Sequence, residues 1–198
     1  MNALALRSPR SRVRSEVRAL TLVGGAQLPA TSAGDARLAR QTQLFFAYGA
    51  DLCEPLLRRR CPDARVIGRA SLGGFGLAFA GASKTWGGAT LTLVPNAEAR
   101  VDGVLYLIRD LSLSDLDRMQ GCPRVYERVT VRVADDDDAR ADAHAYCMRP
   151  PLAGGVPNDV YFDLVAREYH RLGIDPEPLL VALDRAASGA PLARGAVR

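Results

Sequence analysis

The chain has 198 residues, is 48% apolar and carries a formal charge of +4, which suits one domain with a sizeable core and an added tail. Its basic residues are spread out, with much of the excess in the first forty positions, so the charge is a poor argument for nucleic acid. Cys53, Cys61, Cys122 and Cys147 form no CxxC pair and lie far from His144 and His170, which argues against zinc and for free thiols in a reducing, cytoplasmic setting. No apolar run reaches the ~18 residues needed to span a bilayer.

Residues 1–40 hold seven arginines against Glu16 and Asp35, with many Ser, Ala, Gly and Pro, and read as a basic, loosely attached extension in which targeting is the minority reading. The run Leu44 to Tyr48 is short, apolar and aromatic and suits a strand covered on both faces. Gly49 stops it. Asp51 then precedes a helix over Glu54 to Arg60, with Pro55 in its first turn. A strand, a glycine and a helix start bring several N–H groups to one point, a nest able to hold a carboxylate or phosphate, although a plain turn has the same pattern.

Ala64 to Ala70 reads as a strand, broken at Gly73 and Gly74 by a bulge before Phe75 to Ala80 resumes. Ala89 to Val94 and Val101 to Ile108 alternate as two strands of an expected hairpin around Pro95-Asn96. Trp86, beside Gly87 and Gly88, is expected to pack, with contact to a ligand the minority reading. Ser112 to Met119 is expected as a helix opened by Ser112 and Asp115 in capping-box spacing and closed by Gly121. Val125 to Val133 and Ala141 to Met148 form a second hairpin whose tip, Asp135 to Asp138, is solvated and lacks the ligand spacing of a calcium loop. After a Pro-rich loop, Val160 to Leu172 is amphipathic and stops at Gly173, and Asp175-Pro176 starts a last helix through about Ala187. About six strands and four helices with short connections indicate α+β, with a mainly antiparallel, barrel-like sheet.

The segments FFAYGADL, FGLAF, WGGATLTLVP, VDGVLYLI, LSDLDRMQG and VYERVTVRV resemble, in order and spacing, the gamma-glutamylcyclotransferase (AIG2-like) family over about residues 43–173. The domain is expected from about residue 41 to 187, with a frayed tail over 188–198, and the resemblance implies a small α+β barrel for it. It also implies cyclisation of a gamma-glutamyl amine or peptide to 5-oxoproline with release of the amine. It places the substrate-holding backbone loop on Tyr48, Gly49, Ala50, Asp51 and Leu52, the general base on Gln120, and pocket tyrosines on Tyr126 and Tyr161. The implied partner is a small molecule, with no cofactor, metal, nucleic acid or membrane, and no oligomeric state follows.

The chain departs from the family pattern at three positions. Ala50 and Asp51 stand where the family has Ser and Asn, and Gln120 stands where it has the catalytic Glu. The first change is mild, since backbone donors do not depend on the side chain. The second sets a carboxylate near a site for another carboxylate. The third removes a proton acceptor, because an amide cannot take a proton at neutral pH. Gln120 therefore marks a substitution that traps substrate, a variant in which Asp51, Asp117 or Glu127 serves as base, or a relative that binds a gamma-glutamyl ligand without turning it over.

Overall fold

The structure is a computed structural model that describes residues 42–192; the expected basic extension and most of the expected frayed tail lie outside the described residues. Strand β1 (Thr42–Ala47) is organised as its apolar run demands, with Leu44, Phe45, Phe46 and Ala47 all buried. It pairs antiparallel with β3 (Gly88–Arg109) from Thr42 opposite Arg109 to Ala47 opposite Val104, and parallel with β5 (Arg140–Met148) at Phe45 and His144. With β2 (Arg65–Ser83) and β4 (Tyr126–Asp135), the strands close into a barrel in the order β1-β3-β2-β4-β5. The closure is uneven, with one residue pair between β1 and β5 and two between β2 and β4, against nine between β4 and β5.

The α+β barrel is as expected, but the strand count is five among the described residues. The expected pairs of short strands over 64–80 and over 89–108 are each continuous. The expected hairpin at Pro95-Asn96 is therefore corrected: the real hairpin joins β2 to β3 through the turn after Ser83. Strand β2 runs beside both halves of β3, with Phe75 opposite Pro95 and Gly73 opposite Arg100. One partner thus holds both halves in one ladder, and the residues between Pro95 and Arg100 bulge instead of reversing the chain. The bulge expected at Gly73-Gly74 faces this excursion, with Gly74 at φ 80°. At Gly103 any Cβ would collide with the Ala47 carbonyl and the Phe46 ring, so the close approach of β1 to β3 at the site requires glycine there.

Helix α1 (Glu54–Arg60) follows the turn after β1, with Pro at its start. Helix α2 (Asp110–Met119) begins two residues earlier than the capping-box pattern implied, and no side chain of its own caps it. Asp63 does so from across the chain, accepting from the Arg109 N–H at 2.7 Å and from the Ser112 hydroxyl. Ser112 is consequently a donor to Asp63 and not the cap. At the other end, Gly121 has φ 67°, its N–H bonds to the Arg118 carbonyl, and the Cys122 N–H bonds to the Asp117 carbonyl. These paired bonds form a Schellman ending and fix the direction of Gln120, the residue at the helix C-cap.

The tip between β4 and β5 is tied by the Asp135 carboxylate, which accepts from the N–H groups of Asp137 and Ala139. Helix α3 (Asp159–Leu172) is capped by Asn158, buries Tyr161, Val165 and Tyr169, and ends at Gly173 with φ 63°. Helix α4 (Glu177–Ala187) starts behind Pro176 and packs on β2. Among the described residues, no helix is long and apolar enough to cross a membrane.

Candidate active site

Beyond Ala47 the chain leaves the ladder. Tyr48 stays buried and donates its hydroxyl hydrogen bond to the Tyr146 carbonyl on β5, which pins the last residue before the turn. Gly49 comes under the Tyr161 ring, where an added Cβ would lie 3.2 Å from the phenol oxygen. Ala50, Asp51 and Leu52 then form one turn of 3-10 helix, closed by Leu52 N–H to Gly49 O at 3.0 Å and Cys53 N–H to Ala50 O at 3.1 Å. The Ala50 and Asp51 N–H groups open this turn and have no backbone partner within it, as at any helix start. Leu52 is different: its N–H is used, and its side chain is fully buried in the core.

Asp51 is 8% exposed. One of its oxygens faces the Arg60 guanidinium at 3.2 Å, and the other accepts from Gln120 Nε2 at 3.1 Å. Arg60 is the last residue of α1 and Gln120 the C-cap of α2, so two helix ends converge on one carboxylate. Burial raises the pKa of Asp51 above the ordinary carboxylate value, and the opposing pulls of Arg60 and Gln120 do not cancel it.

The opposite wall is built on the peptide of Leu91. Its N–H donates to the Tyr161 hydroxyl at 3.1 Å, and its carbonyl accepts from the Tyr126 hydroxyl at 3.3 Å. Tyr126 and Thr90 also share a hydrogen bond at 2.8 Å. Trp86 meets Tyr161 edge to face with ring centroids 5.1 Å apart. Burial pushes the Tyr126 phenol up to about 12 and Tyr161 higher still, so both remain protonated donors at neutral pH.

These parts surround a cavity of about 300 Å³, at the lower end of the range for small-molecule sites. Of the residues expected at the site, Tyr48, Gly49, Ala50, Asp51, Gln120, Tyr126 and Tyr161 line it, and Leu52 does not. Asp51 is the one carboxylate among the lining residues and Arg60 the one cation. Asp117 lies outside, accepting from Tyr146 at 2.8 Å and paired with Arg128 at 3.2 Å. Glu127 is exposed on β4.

Sequence reasoning missed Arg60, Thr90, Leu91 and Tyr146, and for Trp86 set packing above contact with a ligand. Arg60 ends a run of three arginines, and nothing in its spacing sets it apart from Arg58 and Arg59. Leu91 acts through its backbone, which no side-chain pattern reports. Among the described residues, no three His, Cys, Asp or Glu side chains group so as to hold a metal.

Residues 45–163 match the family model for gamma-glutamyl cyclotransferase, AIG2-like. The gamma-glutamylcyclotransferases of Homo sapiens and Bos taurus are each 29% identical over 110 residues, covering 53% of this chain and 58% of theirs. The chain thus spans little more than half the length of these curated relatives. A solved structure of a gamma-glutamyl cyclotransferase superposes with a TM-score of 0.65 at 24% identity, over 80% of this chain and 94% of that one. YkqA from Bacillus subtilis superposes with a TM-score of 0.60 at 20% identity, over 80% and 58%. At these identities the two structures speak for the fold.

Proposed function

The chain belongs to the gamma-glutamyl cyclotransferase, AIG2-like family, and on that footing we propose that its cavity converts a gamma-glutamyl amine or peptide into 5-oxoproline and the free amine. The observation that carries this reading is the convergence of the 48–51 turn, Gln120, Tyr126 and Tyr161 on one small cavity holding one carboxylate and one guanidinium. A gamma-glutamyl head group is a zwitterion. Its alpha-carboxylate suits the free N–H groups at Ala50 and Asp51 together with Arg60, and its alpha-amine suits the Asp51–Gln120 pair. Tyr161 accepts from the Leu91 N–H and keeps its own hydroxyl hydrogen for the gamma-carbonyl side of the substrate, while Tyr126 spends its hydrogen on the wall.

Cyclisation first requires the substrate to fold on itself. The alpha-nitrogen attacks the gamma-carbonyl carbon, and a cavity of this size favours the curled conformer over the extended one. Donors fixed before the reaction then meet the oxygen as it gains charge. The four cysteines carry free thiols, which supports a reducing compartment such as the cytoplasm.

Incubation with a panel of gamma-glutamyl amines and dipeptides, with 5-oxoproline followed by mass spectrometry, tests the proposal. Release from at least one member, abolished by heat denaturation, is expected. Binding of panel members without any 5-oxoproline would instead favour a ligand-binding relative, a reading that the amide of Gln120 supports. If nothing in the panel binds or reacts, the proposed substrate class falls.

A further inference from the structure

A cyclisation needs a group that takes a proton from the attacking nitrogen and returns one to the leaving nitrogen, and the Gln120 amide can do neither. The other cavity groups are poor acceptors as well. Tyr48 is committed to the Tyr146 carbonyl, Tyr126 and Tyr161 are pushed up by burial, and Arg60 is a permanent cation. We propose that Asp51 is the proton acceptor and that Gln120 is its positioning residue, the two forming a carboxylate–amide pair across the cavity floor. This inference rests on the cyclotransferase reading above and names the base within it.

The geometry is specific. Gln120 Nε2 donates to one Asp51 oxygen at 3.1 Å and Arg60 occupies the other at 3.2 Å. A carboxylate has about four lone-pair directions, so each oxygen can still accept from substrate. With Nε2 committed to Asp51, the Gln120 carbonyl oxygen is left as an acceptor for the substrate amine. The pair carries one negative charge whichever member is the acid, so moving the acid across the hydrogen bond would conserve charge and contact. Asp117 and Glu127 cannot serve, because neither lines the cavity.

The alpha-ammonium gives up one proton to solvent before attack. As its nitrogen bonds to the gamma-carbon, Asp51 takes a second. When the old carbon–nitrogen bond breaks, Asp51 returns that proton to the leaving nitrogen, and the released amine regains its own from solvent. Asp51 ends ionised, ready for another cycle.

Four forms separate the possibilities: the parent, Asp51→Asn, Gln120→Glu, and the double variant. Asp51→Asn is expected to lower kcat by at least about 100-fold, the usual size of a general-base contribution, while still binding 5-oxoproline. The double variant, with the acid moved to position 120, is expected to recover at least about tenfold over Asp51→Asn, which misfolding could not produce. Gln120→Leu removes the hydrogen bond that favours ionised Asp51, so the acid limb of the pH profile should move to higher pH. A merely structural role for Gln120 would leave that limb in place. The groups interacting with Asp51 across this range are Arg60 from α1, Cys61 just after it, Tyr48 beyond β1, Tyr106 from β3, Tyr126 from β4 and Tyr161 from α3, and burial pushes the thiol and the phenols up, away from neutrality.

The proposal is overturned if Asp51→Asn retains kcat within about threefold of an active parent, since that loss lies far below a general-base effect. It is equally overturned if Gln120→Glu alone raises kcat by about 100-fold, which would make Gln120 the limiting defect. In both cases the cyclotransferase reading stands. If none of the four forms releases 5-oxoproline, that reading falls and Asp51 with it. Should Asp51→Asn fail to fold, the parent's profile decides: the substrate ammonium alone gives kcat/KM a unit slope toward acid, so Asp51 must add a second unit of slope below its own pKa, and a slope that stays at one to below the ordinary carboxylate value of about 3.9 contradicts the assignment.

Discussion

Helix α2 has an aspartate at each end, and the two are treated in opposite ways. At its N-terminus Asp63 accepts from the Arg109 N–H at 2.7 Å and from the Ser112 hydroxyl. Burial pushes its pKa up, but these donors outweigh burial and the net direction is down. At the C-terminus Asp51 meets the Gln120 amide and the Arg60 guanidinium, burial dominates, and the net direction is up. A helix favours an anion at its first turn and disfavours one at its last. The same side chain is therefore a satisfied cap in one place and a reluctant anion in the other. A carboxylate that holds structure is one whose charge the fold has neutralised, and a carboxylate fit for proton transfer is one whose charge it has left costly.

Breaking the contrast at the cavity end should produce the largest effect. Asp51→Asn should cost at least 100-fold in kcat, about 2.7 kcal/mol of transition-state stabilisation, and only a small change in thermal midpoint, measured by calorimetry beside the rate. The far wall comes next. Tyr161→Phe removes the acceptor for the buried Leu91 N–H, and an unsatisfied buried donor costs about 1–3 kcal/mol, readable as a lower urea midpoint. Asp63→Asn should cost about 1 kcal/mol, the size of a lost cap, reduced because that carboxylate is partly exposed and screened.

The smallest effect carries opposite signs at the two ends. Asp63 has its folded pKa below the unfolded value, so its contribution is present above the ordinary carboxylate range and is lost as pH falls through the lowered pKa. Asp51 has its folded pKa above the unfolded value of about 3.9, so the folded state holds more protons between the two values and stability falls as pH rises through that window. Urea denaturation across acid pH should therefore show a steeper acid loss in Asp51→Asn than in Asp63→Asn. Parallel curves for the two variants would contradict the assignment of opposite directions.

Much of this was legible in the sequence where the causes are local. The apolar run 44–48, the C′ glycines at Gly121 and Gly173 and the aspartate-rich tip each specify their own conformation, and each is found as expected. The continuity of β3 was not legible, because it is imposed by β2 lying along both halves. Nor was the cap of α2, since Ser112 is 49 residues from the carboxylate it serves. Tyr48, Gly49, Ala50, Asp51, Gln120, Tyr126 and Tyr161 were named through the resemblance, and the fold gathers them around one space. What the pattern could not report is that Asp51 and Gln120, 69 residues apart, form one hydrogen-bonded pair. Taken singly, each looked like a loss, an unwanted charge at one position and a missing base at the other; in contact they conserve one acid and one amide.

The most direct measurement is kcat for 5-oxoproline release by Asp51→Asn and Asp63→Asn, assayed side by side on the same gamma-glutamyl amine at 25 °C. The account predicts a loss of at least about 100-fold for the first and a rate within about threefold of the parent for the second, whose cost is confined to stability. Equal losses in the two variants, or a silent Asp51→Asn, would contradict it.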